Sequence, residues 1–280
     1  VRFSLGDVKN VLIRAMPFGM MLLIGVVFEN TDKIMLSSLV SIEALGWYDA
    51  AVKMLKLVLL LPAVFGDVFY PIFSKLFKED PRELKVLYTE SFKLLFAGGF
   101  IVSACFFFAS GPVVRFLYGG GFENTVTIFR VLVWVVLFRF VGFVNGYMLN
   151  AIGRERFYAT VYGICAGLNV VLNYILISFF DFMGPVIATF VVSFIAFVSY
   201  TVAAHRALEL SLDWSGLGRV GFSAIVSGFV VELLGDMFWG LSIMVSLAVF
   251  ALLCWITRGF TKDDFTTLRP LFTAMLRRFK

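Results

Sequence analysis

One histidine, His205, and three cysteines, Cys105, Cys165 and Cys254, are all that the 280 residues offer to soft-metal or redox chemistry. The cysteines fall singly inside apolar runs with no CxxC spacing, where free thiols behave as small hydrophobes. A lone imidazole excludes the multi-histidine sites of metalloenzymes and leaves little for acid–base chemistry. Also missing are a phosphate-cradling glycine loop, HExxH, DxD and a Ser/His/Asp arrangement. No enzyme activity and no cofactor are therefore expected. Charge is scarce as well. Only 15% of residues are charged and 60% are hydrophobic, against about 25% and about 45–50% in soluble domains. That excludes a water-soluble globular fold, and no polar stretch is long enough to make one separately. What the chain has instead is apolar bulk, including 34 Phe. The net charge of +5 would suggest an anionic partner in a soluble protein. Here no nucleic-acid partner is expected, because the charges sit between apolar runs beside membrane lipids.

The runs predict an all-α, polytopic transmembrane bundle of eight spans, at roughly 11–36, 45–76, 83–110, 123–151, 155–180, 184–206, 216–234 and 238–257. Each is near or above the ~20 residues that a ~30 Å hydrocarbon core requires. With both termini on one side, sixteen Lys and Arg, from Arg2 and Lys9 to Arg278 and Lys280, fall on that side. The opposite loops hold Arg115 alone. Cytoplasmic loops carry the Lys/Arg excess, so both termini are expected in the cytoplasm of a cell (inner or plasma) membrane. The linker 207–219 divides the expected organisation into a six-helix bundle (1–206) and two appended helices (207–257). A tail, 258–280, shows helical spacing of Phe265, Leu268, Phe272, Met275 and Phe279 among arginines. That pattern predicts an amphipathic helix on an anionic inner leaflet.

Several spans carry charge, which survives in hydrocarbon chiefly where it meets water, a partner or a substrate. At about 100° per residue, eighteen residues complete about five turns, so Asp49 and Asp67 point one way on span 2, with Lys53 and Lys56 beside them. Pro62 breaks the backbone hydrogen-bond ladder in mid-span, and its freed carbonyl must be satisfied inside protein or beside water. Span 1 repeats the pattern with Arg14 and Asp32, and Glu29 and Lys33 lie at i,i+4. Span 4 carries Arg139 near its middle, and guanidinium forks onto phosphate oxygens. Its Arg130 is expected to pair with Glu123 or snorkel. Span 5 aligns Tyr162, Asn169 and Asn173, a pattern that favours helix packing. Two readings stand: a buried ion network, or a hydrated pathway between helices.

Several segments resemble a known family. Residues 32–55, DKIMLSSLVSIEALGWYDAAVKML, are similar to a signature of the polysaccharide (O-antigen-type) flippase branch of the multidrug/oligosaccharidyl-lipid/polysaccharide exporter superfamily. The likeness continues through Pro62, Pro71, NAIGRER (150–156), GLNVVLNYILI (167–177) and FMGPVIAT (182–189), where Pro185 replaces a usual Gly or Ile. The resemblance implies the second six-helix bundle plus two appended helices. It implies that the N-terminal bundle is missing, so that the chain is a fragment or pairs with another chain. It implies flipping of a lipid-linked oligosaccharide of polyprenyl-pyrophosphate type, for cell-surface polysaccharide assembly, by alternating access. Arg139, Lys53, Lys56 and Arg14 would bind substrate; Asp32, Lys33, Glu29, Asp49 and Asp67 would line the cavity or couple transport to an ion. A multidrug or cation exporter, a peptidoglycan-precursor flippase, a membrane-embedded lipid-modifying enzyme and a non-transporting scaffold are the alternatives.

Overall fold

The computed structural model describes residues 30–211, 213–234, 239–257 and 259–260, with residues 63–68 described by backbone alone. No strand occurs among the described residues. The helices are α1 over residues 30–39, α2 (Ile42–Glu79), α3 (Pro81–Tyr118), α4 (Glu123–Ala151), α5 (Glu155–Phe180), α6 (Gly184–Leu208), α7 (Trp214–Leu233) and α8 (Trp239–Ile256). A short 3-10 turn, Asp181–Met183, joins α5 to α6. This is a multi-pass membrane protein. Five described helical stretches are long and apolar enough to span a bilayer, the α5–α6 pair counting as one of them. The 38 residues of α2 reach about 57 Å at 1.5 Å per residue. The expected spans agree with α2–α8 to within a few residues at most ends, α3 running eight residues further, to Tyr118. Most of span 1, and the tail 261–280, lie outside the described residues.

Local chemistry sets the helix ends. Ser41 accepts from the Ala44 N–H at 3.0 Å and caps α2. Asp80 closes one helix and opens the next: its N–H donates to Leu76 O, and its carboxylate accepts from Arg82 N and Glu83 N at 3.0 and 3.1 Å. Pro81 follows at the first helical position, where its missing N–H costs nothing. Gly153, at φ 76, ends α4 in a backbone region that L side chains rarely adopt. α2 runs helical through Pro62 and Pro71; the loss of one ladder bond at each proline is tolerated with helices packed alongside.

Buried α4 forms the centre, packed against α2, α3 and α6. Ser103 of α3 donates to Val133 O across the α3–α4 contact. Gly99 lets the two helices close in, since a Cβ there would lie 3.0 Å from Leu137 Cα. The outer face of α3 takes α7 and α8, with Gly228 against Ala104; small residues allow such approach where lipid supplies no hydrophobic drive between helices. On the other flank α5 packs chiefly on α6 and touches α4 little.

The connections alternate between two ends. One end gathers the α1–α2, α3–α4 and α5–α6 turns: Trp47 Nε1 donates to Gly121 O at 3.3 Å, and its ring meets Phe182 edge-on at 5.7 Å. The opposite end gathers α2–α3, α4–α5 and the α6 terminus, where Lys85 meets Glu209 at 3.8 Å. Inside that end, Tyr88 Oη donates to Asn145 Oδ1 (2.7 Å) and Asn145 Nδ2 to Thr201 Oγ1 (2.9 Å), a buried tie among α3, α4 and α6.

Candidate functional site

Two carboxylates at the α1–α2 hairpin organise the polar part of the bundle. The turn at Val40–Ser41 brings the antiparallel helices into a register that pairs Asp32 with Tyr48 and, one residue on, Lys33 with Asp49. Asp32 accepts from three neutral donors on three other helices: Tyr48 Oη of α2 at 2.6 Å, Asn173 Nδ2 of α5, and Thr189 Oγ1 of α6 at 3.3 Å. No described cation contacts it. Asn173 also donates to Asn169 Oδ1 at 3.2 Å, and its own Oδ1 is buried without a partner among the described residues. Beside this node, Asp49 lies between the Lys33 and Lys53 ammoniums, the second at 2.9 Å. One carboxylate with two cations leaves that group a net positive charge.

Arg139 stands apart. Phe138 packs on Phe190, Phe194 and Phe197 of α6 at 5.4, 5.5 and 5.4 Å, which fixes the rotation of α4. The next side chain, Arg139, is thereby turned out of the core and is exposed. It carries no ion pair among the described residues, and it lies close enough to Tyr158 and Cys165 of α5 and Tyr200 of α6 to act on them electrostatically. Tyr158 stacks on Tyr200 (4.6 Å) and presses on Gly146 of α4, where a Cβ would lie 2.9 Å from the ring.

One stripe of α5 links the two regions. At about 100° per residue, Tyr158, Tyr162, Cys165, Asn169 and Asn173 fall within an arc of roughly 80°. Arg139 lies at the Tyr158–Cys165 part and Asp32 at Asn173. Thr125 Oγ1 donates to Trp47 O at 3.1 Å, so α4 and α2 start level there. From that level, at 1.5 Å per residue, Lys56 lies about 13 Å along and Arg139 about 21 Å along. Lys56 is exposed and has no ion pair among the described residues.

The structure thus brings together Asp32, Lys33, Asp49 and Lys53, and sets Lys56 and Arg139 deeper. Arg14 and Glu29 lie outside the described residues, as does the side chain of Asp67. Lys33 reaches Asp49 on α2. Arg139 does not pair with Asp32 or Asp49. Asn173, expected to hold helices together, does so through the Asp32 carboxylate. Tyr48 and Thr189 stood in the quoted segments without a role; pairing across helices, which no single-helix spacing displays, gives them one.

Residues 1–127 match a family described as polysaccharide biosynthesis protein. No curated protein matches the sequence. Among solved structures the chain is similar to the lipid II flippase MurJ in an inward closed conformation, with TM-score 0.76 and 15% identity over 91% of this chain and 56% of that one. It is also similar to a MOP superfamily transporter from Pyrococcus furiosus, described as having a binding pocket of reverse polarity, with TM-score 0.62 and 15% identity over 96% of this chain and 68% of that one. The chain therefore spans little more than half the length of MurJ. Residues 1–127 thus match a polysaccharide biosynthesis family, and the chain shares its fold with these two transporters.

Proposed function

We propose that this chain forms one half of a flippase that moves a lipid-linked oligosaccharide, carried on a polyprenyl pyrophosphate, across the cell membrane for surface polysaccharide assembly. The observation that carries the reading is the distribution of charge along the polar stripe. Both described acids are engaged, Asp49 by two lysines and Asp32 by three hydrogen-bond donors. Lys56 and the deep Arg139 are left as surplus cations. A site with its acids engaged and its cations free suits an anionic ligand and disfavours a cationic drug. Arg139 and Lys56 would hold the pyrophosphate in this scheme, while the polyprenyl chain stays in lipid. Lys53, already shared with Asp49, would approach it second, and Arg14 would join from span 1.

The remaining parts follow from that reading. Asp32, held by neutral donors beside the orphaned Asn173 Oδ1, is the position for ion coupling, with Lys33, Asp49, Glu29 and Asp67 lining the cavity. Alternating access needs a facing bundle, supplied by more of the same polypeptide or by another chain. The end with Lys75, Lys78, Arg82, Arg154, Arg156 and Arg206 faces the cytoplasm, along with both termini. Residues 1–206 would form the transport half and 207–257 the appended pair, with 258–280 on the inner leaflet. No enzyme activity or cofactor enters the scheme.

The test is translocation of a fluorescent pyrophosphate-linked glycolipid in vesicles holding the complete transporter. Arg139→Ala is expected to slow flipping at least about tenfold, as loss of a charge-assisted bond of about 1.5–3 kcal/mol implies. Arg139→Lys should recover part of the rate. Unchanged flipping by a folded Arg139→Ala protein would remove the site.

A further inference from the structure

A second cationic feature lies at the opposite face of the helix pair α3–α4, away from the α5 stripe. A cleft of about 230 Å³ opens between the last turn of α3 and the first turns of α4. Arg115, Arg130, Glu123 and Thr127 line it, with Gly111 at its side. The two arginines converge. Arg115 folds back along α3, its Nη2 lying 3.7 Å from where a Gly111 Cβ would stand. Arg130 crosses from α4, donates Nε–H to Ser110 Oγ at 2.9 Å and lies over the Phe107 ring at 5.9 Å. Ser110 and Gly111 are consecutive, so both guanidinium groups overlie neighbouring residues of one helix. Neither has an ion pair among the described residues. Glu123, the acid in the cleft, accepts instead from Gly121 N at 3.4 Å.

Two like charges held side by side repel unless an anion sits between them. Their position makes the pair more pointed. This end of the bundle carries the connections poor in Lys and Arg, the pattern of the outer face, so two arginines are kept where cations are otherwise sparse. The volume is below the about 300 Å³ at which pockets for whole small molecules begin. It suits a headgroup whose chains stay outside, and Phe116 and Leu117 present exposed apolar surface in the same turn of α3. Arg forks bind phosphate oxygens with paired N–H donors.

We propose that this cleft seats the phosphate of an anionic phospholipid from the outer leaflet, separately from the transported substrate. The test uses the complete protein in nanodiscs and in detergent, with bound lipid counted by native mass spectrometry. Phosphatidylglycerol is expected to bind at least about tenfold more tightly than phosphatidylcholine, a preference lost in Arg115→Gln/Arg130→Gln. Thr127→Phe, which fills the cleft and keeps both charges, should lose it too, and serves if the double variant does not fold. Inorganic phosphate at millimolar concentration should compete only weakly. Equal binding of the two lipids, retention of the preference in Thr127→Phe, or displacement by inorganic phosphate as effective as by lipid would each overturn the proposal. Arg139 takes no part, so loss of lipid preference with flipping intact separates this site from the transport reading.

Discussion

The bond between Tyr48 and Asp32 permits a quantitative test of whether the hairpin node holds a charge. Its oxygen–oxygen distance, 2.6 Å, falls within the about 2.5–2.7 Å of a hydroxyl donating to an ionised carboxylate. Three donors and no described cation also suit an acceptor-only group. A neutral interhelical bond in a membrane protein contributes about 0.6 kcal/mol on average, whereas one to a charged group contributes about 1.5–3 kcal/mol. Tyr48→Phe should therefore cost about 2 kcal/mol with Asp32 in place. In an Asp32→Asn background, where the acceptor remains but the charge does not, it should cost about 0.6 kcal/mol. Thermal unfolding in detergent would resolve this, since 1 kcal/mol moves the midpoint by about 2–4 °C in chains approaching this size. The difference between backgrounds is then at least about 2 °C. If Tyr48→Phe costs the same in both, Asp32 carries no charge in the folded protein and its role in ion coupling loses its basis.

Other variants examine neighbouring parts of the argument. Lys33→Ala should destabilise by about 1.5–3 kcal/mol because its Asp49 contact is mostly shielded, whereas Lys53→Ala should cost much less because that ammonium is largely in the open; chemical unfolding midpoints would show the order. Gly184→Ala places a Cβ 2.5 Å from Ile177 N, and rigid backbone cannot yield, so folded yield on size exclusion should fall in line with a loss of about 1–3 kcal/mol or more. Asn145→Leu strips Thr201 Oγ1 of its donor and Tyr88 of its acceptor, at about 1–3 kcal/mol, read as a lowered melting temperature.

Much of the helical frame was legible because span length and loop charge are one-dimensional properties. The ends of α4, α5 and α6 follow from where apolar runs meet turn residues such as Gly153 and Gly184. The site was legible only within single helices. Asp49 and Lys53 at i,i+4 pair as the spacing predicts. Lys33 reaches Asp49 across the hairpin, because the two-residue turn sets a register that periodicity in either helix does not contain; its i,i+4 neighbour Glu29 lies outside the described residues. Arg130 likewise turns from Glu123 toward Ser110 and Phe107, since the helix it packs against decides which partner is near. Asn169 and Asn173 were visible as a polar stripe, but nothing in their spacing says that a carboxylate from α1 ends on it.

Whether that stripe is wet decides between the two readings of the charges, and α5 contains its own control. Tyr162 and Asn169 lie on the stripe; Ile164, Val171 and Ile175 lie on the other side of the helix and are exposed where lipid would surround them. Thiolate, the reactive form, does not persist in hydrocarbon, so a charged maleimide labels only cysteines that meet water. In a background with Cys165 replaced, and with Cys105 and Cys254 buried, cysteine at 162 and 169 should label at least about tenfold faster than at 164, 171 or 175, given the thiolate requirement. Pyrophosphate-linked lipid should slow labelling at 162, close to the part of the stripe that faces Arg139, more than at 169. A dry ion network would leave all five positions equally slow, since Asp32, Lys33 and Asp49 would then be satisfied without solvent. Fast labelling confined to 164, 171 and 175 would invert the orientation of α5 and separate Arg139 from the cavity altogether.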